Sequence, residues 1–375
     1  MRSELRAKIS VIAAVTIFGL TYGLSAPLIA ITLANRGYSE AFIGINAGMH
    51  ALGVLLIAPA LPWLCRTFST RQLMFTALLA AAGLLMMFPW LPVASWFVLR
   101  LLLGVATEVI LVVTETWLNQ VSVEQHRAKN LAMYTAMLSL GFALGPMILS
   151  LMGSGSDAFM LGGVVALLAA LAMLQSRTGA MSSEHEVKRS LAAWVKLIPL
   201  ALAATVLNAA LECAGMNLLP LYAMNLGWSE SEATSLIAIL LVGAIVLQLP
   251  VGWLADRFDR QRLVVMLAAL STLGALVWPL ALQHIWLARA LLFIWGGVFV
   301  GIYTVIITLI GQRFRGAELA GAYAILSVGW GIGALFGPML GGLSMSLSLH
   351  GLPLMTALLC GIFTLFALRT RREAI

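Results

Sequence analysis

Twelve apolar runs, each near the roughly 20 residues that carry a helix across a bilayer, follow one another along this chain. They cover about 9–34, 41–63, 72–90, 96–118, 130–152, 158–175, 194–222, 231–254, 262–282, 286–311, 317–345 and 351–368. Backbone groups inside hydrocarbon have no water to bond, so such runs must satisfy their own hydrogen bonds as helices. The expected fold class is therefore an all-α membrane protein with 12 transmembrane helices. Charged residues make up 10% of the chain, against about 25% in a soluble domain. No polar stretch is long enough for a separate soluble domain. The first run is too long for the apolar core of a cleaved signal and lacks a small-residue cleavage site, so it stays as a span.

The stretch Gly252-Trp-Leu-Ala-Asp256-Arg257-Phe-Asp259-Arg260-Gln-Arg262 holds five charges in eleven residues between two apolar runs. Charge at that density belongs in a tight loop at a membrane surface. A shift of 190 residues brings Trp253-Leu254 onto Trp63-Leu64, Phe258 onto Phe68 and Leu263 onto Leu73. The same shift brings Gly227-Trp228-Ser229-Glu230 onto Gly37-Tyr38-Ser39-Glu40. One half is written twice. The only long polar link, SRTGAMSSEHEVKRSLAA, lies at mid-chain. The expected domains are a six-helix bundle over 1–175, a cytoplasmic linker over 176–193 and a second six-helix bundle over 194–375.

A net charge of +7 raises the question of nucleic acid, but the placement of the charge answers it. With the N-terminus in the cytoplasm, 19 of the 22 lysines and arginines fall on the inner side. Only Arg36, Arg100 and Arg289 do not. That is the positive-inside pattern of a multi-pass protein with both termini cytoplasmic, expected in the cell's inner membrane, and nucleic acid drops out as a partner. Cys65, Cys213 and Cys360 lie in or beside spans without metal-ligand spacing, so no metal is expected. Trp90, Trp96, Trp278 and Trp286, near the outer ends of their spans, read as interfacial anchors.

Polar residues within the spans carry the chemistry. The fourth run contains Arg100, Glu108 and Glu115. Seven residues separate the two glutamates, which places them on one helix face with an offset of about 20°. An ionised side chain at mid-span costs about 2.5–3.5 kcal/mol on insertion scales, so that face must line water or a partner. Arg100 stands about one turn inside the outer surface, where an arginine can snorkel. The second run carries His50, and the seventh carries Asn208 and Glu212 one turn apart. Gly141-x-x-x-Gly145-Pro146 in the fifth run and Gly333-x-x-x-Gly337-Pro338 in the eleventh pair a bend with the small residues that let helix backbones approach closely.

Taken together, these residues resemble the major facilitator superfamily over nearly the whole chain. Gly252-x-x-x-Asp256-Arg257-x-x-Arg260-x-Arg262 is similar to its loop signature, with Asp259 at the position of the second glycine. The first-half copy has Pro62, Arg66 and Thr67 in place of the glycine, aspartate and arginine. Arg100-x-x-x-Gly104 resembles the fourth-helix arginine motif that the family associates with proton coupling. Gly141, Gly145 and Pro146 resemble its fifth-helix antiporter motif, and the eleventh helix carries a closer copy. The resemblance implies two pseudo-symmetric six-helix bundles that rock about a central site. It also implies that Gly252, Asp256, Arg257 and Arg260 latch the second half against the fifth helix near Asn130.

The function expected is secondary active transport of a small molecule by alternating access, in a monomer, with protons as coupling ion and efflux by antiport as the direction. Uptake by symport or facilitated diffusion, and lipid flipping on the same fold, are the alternatives. The residues expected to bind substrate or carry protons are Glu108, Glu212, His50, Arg100, Glu115 and Asn208. An acidic cavity would suit an amphipathic or cationic compound. No nucleotide-binding loop of the Walker type occurs, and no nucleophile–base pair or metal-ligand cluster stands at membrane depth. Neither ATP drive nor an enzyme is expected, and no cofactor is required.

Overall fold

The computed structural model describes residues 2–121, 124–174, 195–314 and 316–373. The expected linker, 176–193, lies outside them. Among the described residues the chain is helical, without strands, and 12 helices are long and apolar enough to cross a membrane. They are α1 (Val11–Asn35), α2 (Glu40–Thr67), α3 (Thr70–Met87), α4 (Val93–Leu118), α5 (Met133–Met152) and α6 (Ser156–Met173). The second half supplies α7 (Pro199–Asn225), α8 (Glu230–Arg257), α9 (Arg260–Ala281), α10 (Ile285–Arg313), α11 (Gly321–Leu347) and α12 (Gly351–Thr370).

The repeat read in the sequence is present in the backbone. Gly37 and Gly227 both adopt positive φ, at 82° and 93°, the left-handed turn that ends α1 and α7. Two residues later Ser229 caps α8 in a box with Glu232, and the Ser39 hydroxyl accepts from the Phe42 amide. Both α2 and α8 are interrupted at matching points: α2 by a 3-10 turn at Ala58–Ala60, α8 at Leu247. The charged loops are tighter than their sequence suggests. Helix α8 runs through Arg257, only Phe258 and Asp259 form the turn, and the Asp259 carboxylate caps α9 by accepting from the Arg262 amide at 2.9 Å.

The chain forms two compact units, residues 1–36 with 49–184, and residues 37–48 with 185–375. In the first unit α1 packs along α5 through glycines on both helices. A Cβ on Gly141 would lie 2.3 Å from the Thr16 backbone oxygen, and one on Gly145 would lie 2.3 Å from the Leu24 nitrogen. In the second unit α11 meets α7 in the same way, with Gly333 against Val206 and Gly337 against Ala210. The opening residues of α2 belong to this unit, where Gly44 packs on Pro338 and the Ala41 amide donates to Ser346 Oγ at 3.0 Å.

The tryptophans divide. Trp90 and Trp286 are 80% and 75% exposed, as interfacial anchors are. Trp96 and Trp278 are instead core residues, 0% and 2% exposed. The Trp96 ring meets Phe88 at 5.1 Å and Phe159 at 6.0 Å, and Trp278 meets Trp295 at 4.9 Å. Large rings that fill the gap between helices bury more area there than in the headgroup layer.

Candidate functional site

In the first unit the polar groups gather around α4. Gly104 allows the approach: a Cβ there would lie 2.0 Å from the His50 backbone oxygen, so α4 and α2 touch backbone to backbone. One turn on, Thr107 Oγ1 and His50 Nε2 share a hydrogen bond of 3.2 Å, and Thr107 Oγ1 also reaches the Gly104 carbonyl at 3.0 Å. The His50 ring lies against Tyr22 of α1 at 4.9 Å between centroids, and Tyr22 meets Phe142 of α5 at 5.6 Å. Tyr22, His50 and Thr107 thus join three helices at one level. Thr107 escaped the sequence reading; its place directly before Glu108 was the only available signal.

Arg100 is buried, with 2% of its surface exposed, so it does not snorkel. It stands on α4 one turn before Gly104, the residue that meets the His50 backbone. Glu108, the next position after Thr107, is half-buried, and its carboxylate meets no hydrogen-bonding or ionic partner among the described residues. A carboxylate in that position is open to a ligand or a proton. Glu115, two turns further along the same face, is exposed, and below it Thr114 Oγ1 and the Tyr134 hydroxyl are bonded at 3.0 Å.

In the second unit Asn208 Nδ2 donates to Glu212 Oε2 at 3.2 Å, the i to i+4 spacing read from the sequence. Asn208 is buried and its Oδ1 has no partner among the described residues; Glu212 is half-buried. Two further polar pairs were not read from the sequence. Thr304 Oγ1 of α10 donates to Gln248 Oε1 just after the break in α8. The Tyr222 hydroxyl and His350 Nδ1 are bonded at 2.9 Å. Residues 128 apart in sequence gave no local signal for that last contact.

The signature loop is an internal clamp of its own unit. Arg260 Nη2 pairs with Asp256 Oδ1 at 3.4 Å, while Arg260 Nη1 donates to Gln312 Oε1 at the end of α10. The Arg257 guanidinium sits 4.1 Å above the Trp253 ring. A Cβ on Gly252 would meet open space. Asp256 is 78% exposed, so it is held by Arg260 alone among the described residues and keeps most of its surface open. Among the described residues no group of three His, Cys, Asp or Glu side chains is placed to hold a metal ion.

Comparison with known proteins identifies the family and the fold. The family model described as the Major Facilitator Superfamily matches twice, over residues 11–211 and 200–374. The Bacillus subtilis (strain 168) protein described as the uncharacterized MFS-type transporter YfkF is 29% identical over 348 residues, 88% of this chain and 86% of its own. The YcaD protein of Escherichia fergusonii, also described as an MFS-type transporter, is 28% identical over 313 residues, 82% of this chain and 79% of its own. Among solved structures, the nucleoside transporter NupG superposes with a TM-score of 0.81 at 13% identity, covering 98% of this chain and 99% of that one. A D-xylose-proton symporter superposes with a TM-score of 0.79 at 15% identity, covering 97% of each. At such identities the superpositions establish the fold. The family rests on the sequence match, and on it the chain belongs to the Major Facilitator Superfamily.

Proposed function

We propose that this transporter expels a small cationic or amphipathic molecule from the cell in exchange for protons, with Glu108 and Glu212 as the groups that change protonation during the cycle. The observation that carries the reading is the Glu108 carboxylate, half-buried in the membrane-spanning part of α4 with no partner among the described residues. An ionised group there needs a compensating charge, which a cationic substrate or a proton supplies in alternation. Each half contributes one half-buried carboxylate within a span, Glu108 in the first and Glu212 in the second. His50, Thr107 and Arg100 orient the first site, and Asn208 orients the second. The Phe18, Tyr22 and Phe142 rings, with centroids 5.6–6.5 Å apart, supply aromatic surface suited to an organic cation. Import driven by protons uses the same parts in the opposite order.

In this reading residues 1–175 and 194–375 are the moving halves, 176–193 links them in the cytoplasm, and the protein works as a monomer in the inner membrane. The exposed face of Asp256 latches the second half when the transporter faces outward. The direct test is transport in proteoliposomes, with and without a gradient of pH, over a panel of organic cations, sugars and nucleosides. Accumulation of a cation against its gradient when the trans side is acidic supports antiport. Accumulation only when protons and substrate enter together replaces efflux by uptake. Orientation has its own test. A cysteine placed at Ser183 in an otherwise cysteine-free chain is expected to resist a membrane-impermeant maleimide in intact cells and to react after permeabilisation. Labelling from outside would invert the topology.

A further inference from the structure

A cavity opens at the loop end of the second unit, where the start of α7, the start of α9 and the ends of α10 and α12 converge. It holds about 360 Å³ and has two kinds of wall. Leu200, Leu309 and Ile310 make one side apolar; Gln312, Arg313 and Thr370 make the rim polar. It is not the transport site: Pro199, in its lining, precedes Glu212 by thirteen residues, about 20 Å along a helix.

Charge around the cavity is unbalanced. Lys196, Arg260, Arg262, Arg313 and Arg369 adjoin or belong to its lining in sequence, or bond to it, as Arg260 does through Gln312. The carboxylates in ion pairs with them among the described residues are Asp256, paired with Arg260 at 3.4 Å, and Asp259, 4.0 Å from Arg262 and already capping α9. Arg313 bonds only the Leu197 carbonyl, at 3.2 Å, and lies over the Phe314 ring 5.5 Å from its centroid, so its charge faces no anion among the described residues. The first turn of α7 adds to this: Pro199, Leu200 and Ala201 line the cavity, and Ile198 at the cap position offers no side-chain acceptor.

We infer that this cavity binds an anionic phospholipid from the leaflet on the side of the basic loops, its phosphate at Arg313 and its acyl chain along Leu200, Leu309 and Ile310. A free phosphate would use the rim and leave the apolar wall bare. A neutral lipid would use the wall and leave Arg313 uncompensated. Basic pockets between membrane helices on the cytoplasmic side recognise anionic headgroups on these terms.

Native mass spectrometry of the purified full chain tests it, with dioleoylphosphatidylglycerol, dioleoylphosphatidylcholine and inorganic phosphate as separate probes. Phosphatidylglycerol is expected to bind in preference to phosphatidylcholine. Arg313→Gln should weaken it about fivefold, the worth of one basic residue near a lipid surface. Arg313→Lys should restore most of the loss. Arg71→Gln, the same charge change in the first turn of α3 in the first unit, should leave binding unaltered. Leu309→Trp, which fills the apolar wall and keeps every charge, should weaken it as well, and monodisperse elution with an unchanged thermal midpoint certifies that each variant is folded. Equal binding of the two lipids, or wild-type affinity in folded Arg313→Gln, overturns the proposal. So does competition by millimolar inorganic phosphate together with normal binding in Leu309→Trp, which would make the cavity a free-anion site.

Discussion

Glu108→Gln is expected to abolish proton-driven accumulation of substrate while leaving exchange of substrate for substrate across the membrane. Glutamine keeps the shape and the hydrogen-bonding reach of the glutamate and loses only the proton. One proton exchanged per substrate lets a gradient of one pH unit, worth 1.36 kcal/mol, sustain about a tenfold substrate gradient. In Glu108→Gln that ratio should fall to about one. Counterflow of labelled substrate, which needs binding and alternating access but no proton, separates coupling from collapse. Glu212→Gln should fall between the two, because Glu212 already accepts a bond from Asn208 at 3.2 Å and its amide replacement can keep that contact. Should both variants, singly and together, sustain a tenfold gradient per pH unit, neither carboxylate carries coupling. Arg100 with Glu115 is then the pair to replace, since both lie on α4 with Glu108.

Thr107→Val probes the support beneath that carboxylate. The substitution removes the 3.2 Å bond to His50 and keeps the volume of the side chain. His50 belongs to α2 and Thr107 to α4, so the bond fixes the face on which Glu108 stands. The variant should retain coupling, with weaker substrate binding and a shift confined to KM. Loss of the tenfold gradient with KM unchanged would place His50 itself in the path of the proton.

The architecture could be read from sequence because membrane insertion restricts the choices. A run such as 231–254 admits few structures other than a helix, and the repeat at 190 residues placed Gly37 and Gly227 in equivalent turns. Glu108 was legible for the same reason: an acid inside an apolar run stands out wherever it points. Facing was not legible. Trp90 and Trp96 have similar neighbours in sequence, yet one is 80% exposed and the other fully buried, because α3, α4 and α6 close around Trp96. Arg100 lies near the end of its span and still turns inward, a choice made by the helices packed beside it. The lipid cavity was invisible for a related reason: its walls come from four helix ends spread between Leu197 and Thr370, and none of the four carries a motif for it.

Gly337→Ala is expected to destabilise the second unit strongly, and Gly83→Ala to leave the first unit intact. Helices in lipid gain little from hiding apolar surface, since the acyl chains are equally apolar; packing and close backbone contact hold them. Helices α7 and α11 meet at Gly337, where the new Cβ would stand 2.1 Å from the Ala210 carbonyl oxygen and 2.4 Å from its Cα. Both are backbone atoms that no rotamer can move. The helices must part along the seam that Gly333 and Gly337 share, where the Val206 oxygen is equally close. Overpacking of this kind costs about 3 kcal/mol or more, a fall in thermal midpoint of about 6–12 °C for a bundle of this size. Gly83 on α3 is exposed, and a Cβ there meets nothing within 4 Å. The same substitution should leave the midpoint unchanged or raise it slightly, because alanine is the better helix former by about 1 kcal/mol. Gly145→Ala, placing its Cβ 2.3 Å from the Leu24 nitrogen, should match Gly337→Ala in the other unit. Thermal unfolding of the four proteins in one detergent measures the set. Equal midpoints for Gly337→Ala and Gly83→Ala would mean that the α7–α11 seam yields to a methyl, and that its glycines serve movement rather than assembly.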